Sequence, residues 1–297
     1  MPERRAITTP STFRVRFDAA RHRFEGWLVE YGRRLKKLFW ENPRALWSYS
    51  KRLGSALIKD PRRLRERLPP FRTIVSQTFR TFMRGWPVVL GFGLVIGLGL
   101  GAVADRFGVV LLPLLEQTVL ISVVRDAVAL MLAVFLTARM GASIAARLAD
   151  DRQTEPIGGG RYEAAQLLAL CLPHLIAGVV TGWAFYRIAE VFIVAGFRSM
   201  GDPGALWPEL WQTDLVSADR MLPLAQAATW GSMKGAVYGF VVAFTACALG
   251  ITTSEQKAFG RQRAIDVQNT VWESGVTALF ICIALAAVFW QLQPTSG

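Results

Sequence analysis

The 297-residue sequence lacks the short motifs that mark most enzymes and nucleotide-binding proteins. It has no GxxxxGK[ST] loop, so the chain has no phosphate-binding loop through which to use a nucleotide by itself. It has only two histidines, no HExxH or CxxC spacing and no GxSxG turn, which argues against a zinc site and a serine nucleophile. We therefore predict that this chain carries no catalytic residue and binds no metal or cofactor.

Cysteine is scarce, and acidic residues are scarce in the first part of the chain. Each of the three cysteines lies in an apolar run, where a thiol usually behaves as a small hydrophobe, so no disulfide is expected. Residues 1–85 hold 21 Lys and Arg but 7 Asp and Glu, whereas the remaining residues hold 13 and 15. A basic segment ahead of long apolar stretches stays on the cytoplasmic side of a membrane, so the N-terminus is predicted to be cytoplasmic.

The apolar stretches predict the fold class. Apolar residues make up 52% of the chain and the mean hydropathy is +0.31. A span of about 20 apolar residues crosses the hydrocarbon core, which predicts an all-α integral membrane protein with five transmembrane helices. A basic amphipathic interfacial helix, residues 71–85, is expected before them, and residues 1–70 form a basic cytoplasmic arm ahead of a membrane domain at 71–297. The predicted spans are about 86–104, 118–148, 164–197, 231–251 and 270–292.

The basic, aromatic-rich arm has two interpretations. Nucleic-acid binding is one of them. Direct attachment of the arm to a membrane span favours lipid headgroups, so no nucleic-acid partner is predicted.

Three features within the spans predict packing or a polar site. Gly93, Gly97 and Gly101 recur every four residues, which suits close approach of another helix, although a flexible span without a partner would look the same. Arg125 and Asp126 are costly in hydrocarbon and therefore face a polar cavity or a partner, unless Arg125 reaches the interface and Asp126 merely pairs with it. Polar residues elsewhere in the spans also have structural interpretations: Lys234 can extend to the interface, and Arg187 and Glu190, three residues apart, can pair on one helix face.

Three stretches, taken in order, resemble the MlaE family of permeases, the membrane subunits of ABC systems that move lipid together with MCE-domain proteins. QTFRTFMRGWPVVLGFGLVIG is similar to the family's interfacial helix and its L-P-V-V motif. SVVRDAVALMLAVFLTARMGASIAARL with QTEPI resembles R-E-L-G-P, A-G-R-x-G-S-A-I-A-A-E-L and T-E-Q-I. GSMKGAVYGFVVAFTACALGITTSEQKAFGRQRAIDVQNTVW is similar to K-S-x-x-F-G and G-R-A-T-x-x-V. The likeness covers roughly residues 71–292.

The resemblance implies a permease domain at 71–297 in a bacterial inner membrane. Arg125, Asp126 and Lys234 become candidates for a lipid cavity between two permease copies, in a homodimer or a heterodimer, and Gly141 matches a glycine that permits tight packing. Membrane lipids, a cytoplasmic ABC ATPase that uses the ATP, and a periplasmic MCE-domain protein become the expected partners. The residues expected to couple to the ATPase are Arg147, Thr154 and Glu155.

Departures from the family pattern leave other functions open. Pro156 is followed by Gly158, Gly159 and Gly160 where the family has a docking helix, and the loop is shorter. An adaptor subunit that resembles a permease but does not transport is therefore an alternative. A membrane-embedded enzyme that uses His174, Glu163 or Glu190 is the third.

Overall fold

The computed structural model describes residues 25–26, 29, 32–33, 35–59, 68–107, 122–150, 162–198, 218–258 and 266–292. Helices dominate these residues, and none of the described residues lies in a strand. Helix α1 is Asn42–Lys59, α2 is Phe71–Phe107, α4 is Ala164–Arg198, α5 is Ala218–Ala258 and α6 is Asp266–Leu292. Helix α3 combines Val123–Ala127, Val128–Leu136, Thr137–Gly141 and Ala142–Asp150.

Five of these helices are long and apolar enough to cross a membrane, as the sequence predicts. Their apolar segments are Phe71–Val103, Val123–Ala149, Ala164–Phe197, Thr229–Gln256 and Val267–Leu292. The fold class, an all-α protein with five candidate spans preceded by an N-terminal helix, is therefore confirmed for the described residues. The first and last helices are the most peripheral, since only 22% and 17% of their most apolar windows are buried.

The predicted interfacial segment 71–85 is helical, but it is continuous with the first span. Helix α2 passes through Pro87, whose missing N–H would normally weaken a helix interior. Packing against α4 on both sides of this proline holds the helix together. Phe82 lies 5.7 Å from Phe185 between ring centroids, and Gly93 contacts the backbone of Ala189.

Helices α4 and α5 form the centre of the bundle because glycines let their backbones approach each other. Gly178 and Gly182 on α4 meet Gly239 and Gly235 on α5, each pair spaced by four residues along its own helix. Helix α2 packs along α4, α6 packs on α5 and α3, and α3 contacts α4, α5 and α6. The polar residues of α3 therefore face neighbours on more than one side.

The chain forms two compact units, Met1–Ala45 and Leu46–Gly297. In the first unit, the guanidinium of Arg44 lies 4.4 Å from the centre of the Trp40 ring. The second unit contains α2 to α6 and also the residues of α1 from Leu46 onward. Tyr49 and Leu53 of α1 are buried in its core, and burial raises the pKa of the Tyr49 phenol well above its ordinary value.

An ion pair joins α1 to the ends of α4 and α5. Arg52 donates to both carboxylate oxygens of Glu255, at 3.1 and 2.8 Å, and to the carbonyl oxygen of Tyr162 at 2.7 Å. The backbone N–H of Tyr162 donates to the same carboxylate at 3.0 Å. The carboxylate of Glu255, on α5, thus binds both α1 and Tyr162, two positions before α4 begins.

We expect Arg52→Met to lower the free energy of unfolding by about 1–3 kcal/mol, because it leaves the Glu255 carboxylate without its charged donor. The midpoint of thermal unfolding in detergent measures this loss. Lys51→Met is the matched control, since Lys51 is exposed on the same helix. Equal midpoints for the two variants would show that the pair contributes nothing to the stability of the bundle.

Candidate functional site

Arg125, Asp126 and Lys234, three residues singled out by the sequence, lie together in the structure. Arg125 Nε donates to Asp126 Oδ2 at 3.0 Å, and Lys234 Nζ pairs with Asp126 Oδ1. Lys234 Nζ also lies 3.5 Å from the carbonyl oxygen of Arg125 and 5.9 Å from the centre of the Phe289 ring. The Lys234 side chain is only 3% exposed, so it pairs inside the bundle instead of extending to the interface.

A π-helical turn in α3 positions the acidic member of this cluster. Val123–Ala127 is π-helical, and such turns inside α-helices are frequent at functional sites. The buried phenol of Tyr186 on α4 donates to the Val124 carbonyl oxygen at 2.8 Å and so holds the turn in place. Tyr186 in turn lies against Gly231 of α5, where a side chain would collide with its ring.

Asp126 and Lys234 line a cavity of about 510 Å³ between α3, α5 and α6, which we call the Lys234 cavity. Its remaining wall is mostly apolar, and the exposed Trp290 lies at its edge. A charged pair beside apolar walls suits an amphipathic molecule that places a polar group at the charges and an apolar part along the helices. The lining residues are Ser122, Val123, Asp126, Ala127, Leu130, Lys234, Tyr238, Ala286, Ala287 and Trp290.

Sequence reasoning did not single out Tyr186, Gly231 or the wall residues of α6. Tyr186 and Gly231 are ordinary members of apolar helices in the sequence, and only their contact across α4 and α5 shows that they position Asp126. Ala286 and Ala287 carry no signal, because a small side chain in a span has many possible roles.

Three of the four predicted packing glycines, Gly93, Gly97 and Gly141, lie close to another helix. Gly93 and Gly97 meet the backbone of α4 at Ala189 and Ile193, and Gly101 is buried. A Cβ at Gly141 would lie 3.0 Å from a methyl carbon of Val242.

The residues predicted to couple to an ATPase are only partly described. Arg147 is exposed near the end of α3 and lines a second cavity. Thr154 and Glu155 lie outside the described residues. Their role stays a prediction.

The residues proposed for an enzyme have other partners. Glu190 pairs with Arg187 at 2.7 Å, as their spacing predicts, and the ring of His174 hydrogen-bonds to the Gln77 side chain. His174 and Glu190 are 16 positions apart on α4, about 24 Å along the helix axis, so they cannot act on one small substrate. Glu163 also has an interaction partner. Within the described part of the chain, no three His, Cys, Asp or Glu side chains gather as a metal site.

Five apolar helices, three of which line a charged cavity, define a multi-pass helical membrane protein. The family model described as "Permease MlaE" matches residues 72–292. The chain therefore belongs to the MlaE permease family, a family of transporters and not of enzymes. No curated protein matches the chain significantly.

Proposed function

We propose that this chain is the membrane subunit of an ABC-type lipid transport system and that it holds a phospholipid in the Lys234 cavity. The observation that carries the proposal is the position of the Asp126 and Lys234 pair against the apolar wall of that cavity. Lys234, in the wall of the cavity, provides a cationic donor for a headgroup phosphate. The apolar side chains of α3 and α6 provide a surface for acyl chains.

The proposed orientation places the N-terminus in the cytoplasm of a bacterium and the chain in the inner membrane. The excess of 21 Lys and Arg over 7 Asp and Glu in residues 1–85 supports it. With this orientation α3 begins at the periplasmic side, so the Lys234 cavity lies in the periplasmic half of the bundle. An MCE-domain protein would exchange lipid with the cavity from that side.

A second permease copy is proposed to complete the transport unit. The peripheral helices α2 and α6 support this, since α6 carries exposed Phe280, Ile283, Val288 and Trp290, of which Trp290 also lines the cavity. A separate cytoplasmic ATPase would supply the energy, because the chain has no phosphate-binding loop of its own.

Filling the Lys234 cavity tests the proposal. We expect Ala286→Trp to reduce at least about tenfold the phospholipid that crosslinks to residues lining the Lys234 cavity, because the indole occupies the space of the acyl chains. Photocrosslinking with a photoactivatable phospholipid, with the crosslinked peptides mapped by mass spectrometry, measures the lipid bound in this cavity. Thermal unfolding of the same sample reports whether the bundle is intact.

Ala284→Trp is the matched control, because Ala284 lies on the same helix but does not line the cavity and is exposed. This control is expected to retain bound phospholipid. Wild-type lipid content in a stable Ala286→Trp protein would contradict a lipid site in the cavity and favour the adaptor function.

A further inference from the structure

A second cavity lies between the first part of α2 and the second half of α3, with α4 as its floor. Its volume is about 1140 Å³, more than twice that of the Lys234 cavity, and we call it the arginine groove. Arg139 on α3 is 13 positions from Asp126, about 20 Å along the helix, so the two cavities are at different depths. The groove is lined by Arg72, Thr73, Ser76, Gln77, Arg80, Thr81, Arg84, Gly85, Phe135, Leu136, Ala138, Arg139, Met140, Ser143, Ile144, Arg147, His174 and Phe185.

The charge of the groove is of one sign. Five arginines line it and no Asp or Glu does. None of the five takes part in the ion pairs found among the described residues. Arg80 and Arg84, four positions apart on one helix, repel each other, so the arrangement costs stability without an anion.

Helix geometry directs the arginines into one space. On α2, Arg72, Ser76, Arg80 and Arg84 recur every four positions and so share one face. On α3, Arg139, Ser143 and Arg147 also recur every four positions and line the groove. The turn Thr137–Gly141, which contains Arg139, is π-helical. Both arginine-bearing faces line the groove, and each also carries a serine hydroxyl, Ser76 on α2 and Ser143 on α3. Guanidinium groups bind phosphate with paired hydrogen bonds, which hydroxyl donors complement.

The groove is lined by apolar side chains as well as by arginines. This combination favours a lipid over a soluble anion. Phe135 and Phe185 lie next to Gly85, 13 positions along α2 from Arg72, and Leu136 also lines the groove. Beside the arginine face, α2 also presents exposed Phe71, Val75 and Phe79, a surface suited to acyl chains. A free phosphate would use only the guanidinium groups and would leave these apolar surfaces without a ligand.

We propose that the arginine groove binds an anionic phospholipid of the cytoplasmic leaflet, with its phosphate at Arg80, Arg84 and Arg139. Basic pockets between transmembrane helices on the cytoplasmic side are suited to anionic headgroups. The location in the cytoplasmic half rests on the proposed function and its orientation. The groove thus adds a second lipid site, in the leaflet opposite to the Lys234 cavity.

Photocrosslinking in nanodiscs tests this site. The full chain is reconstituted with a photoactivatable phosphatidylglycerol, and the crosslinked peptides are mapped by mass spectrometry. We expect crosslinks within residues 72–85 and 135–147. In the triple variant Arg80→Gln/Arg84→Gln/Arg139→Gln, the yield of these crosslinks should fall about tenfold or more. Because these side chains are exposed, repel each other and lie outside the described ion pairs, the variant should be at least as stable to heat as the native protein.

The matched control removes the same charge elsewhere. Lys36→Gln/Arg44→Gln/Lys51→Gln changes three exposed cations on the N-terminal part of the chain and should leave crosslinking at the groove unchanged. Equal losses in the two variants would mean that the basic chain attracts anionic membranes in general, which overturns the site. Equal crosslinking of a phosphatidylcholine probe would overturn its preference for anionic lipid.

Two further arms separate lipid from other ligands. Ser143→Trp keeps every arginine but obstructs the groove, so it should also lose the phosphatidylglycerol crosslinks. Inorganic phosphate in excess should not compete, and competition would assign the groove to a soluble anion instead. A photoreactive residue at position 143 that crosslinked to a protein and not to lipid in native membranes would assign it to protein docking.

The same experiment distinguishes this inference from the proposed function. If the groove variant keeps its crosslinks while Ala286→Trp loses bound phospholipid, the groove is not a lipid site but the transport proposal stands. If Ala286→Trp keeps its phospholipid while the groove variant loses its crosslinks, the groove stands and the role of the Lys234 cavity fails.

Discussion

Asp126→Leu is expected to destabilise the protein by about 3–5 kcal/mol, because it leaves the charge of Lys234 buried without its partner. The Lys234 side chain is 3% exposed and lies against α3 and α6. The double variant Asp126→Leu/Lys234→Met removes both charges and should recover most of this loss. Arg125 also loses its carboxylate partner, but its side chain is 27% exposed, so this loss should lower the free energy of unfolding less than the loss at Lys234 does. Thermal unfolding of the native protein, Asp126→Leu and the double variant in the same detergent measures these differences.

The matched control is the ion pair on α4. Glu190→Gln removes the carboxylate that faces Arg187, whose side chain is 45% exposed. The Arg187 side chain is not enclosed by the bundle and is long enough to move toward the interface, so this change should cost less than Asp126→Leu, about 1 kcal/mol. If Glu190→Gln lost as much stability as Asp126→Leu, burial of Lys234 would not explain why loss of its ion pair destabilises the protein.

The double variant also separates a structural role from a lipid role. A stable double variant that has lost the phospholipid bound in the Lys234 cavity is the result expected if the charges hold a headgroup. A stable double variant with wild-type lipid content would show that the pair only joins α3 to α5, and the adaptor function would then be favoured.

Gly239→Leu is expected to prevent formation of the native bundle, with a loss of at least about 3 kcal/mol. A Cβ at Gly239 would lie 2.8 Å from the carbonyl carbon of Gly178 and closer still to its oxygen. Both obstructing atoms belong to the backbone, so no side-chain rearrangement relieves the collision and α4 and α5 must separate. Yield of monodisperse protein in size-exclusion chromatography, followed by thermal unfolding, measures the effect.

Gly99→Leu provides the control for this prediction. Gly99 lies in a glycine-rich apolar helix too, but nothing would lie within 4 Å of a Cβ placed there. The control variant should therefore fold normally. Similar yields for Gly239→Leu and Gly99→Leu would contradict the close packing of α4 and α5.

The glycines show how far sequence reasoning extends. The spacing of Gly93 and Gly97 predicts a close helix contact, and both lie against α4. The same spacing occurs at Gly178 and Gly182 and at Gly235 and Gly239, where the structure brings α4 and α5 together. Spacing identifies a face that can pack closely, but it does not say which helix will lie on that face.

The charged residues show the same limit. Hydropathy and charge single out Arg125, Asp126 and Lys234, because an ionisable residue in an apolar run is rare. Their association joins residues 108 positions apart and depends on the rotation of α3 and α5 about their axes. The sequence pattern alone left open whether Lys234 extends to the interface, and the structure pairs it with Asp126.

The sequence by itself determined the five apolar helices, the basic N-terminal segment and the family, because hydropathy, charge and motif order are properties of neighbouring residues. The tertiary structure decided which helices touch and which polar groups meet. It placed Arg52 within hydrogen-bond distance of Glu255, 203 positions away, and it placed five arginines of α2 and α3 along one groove. Such contacts depend on how each helix is rotated and crossed against its neighbours, and backbone and side-chain packing between distant residues sets that arrangement.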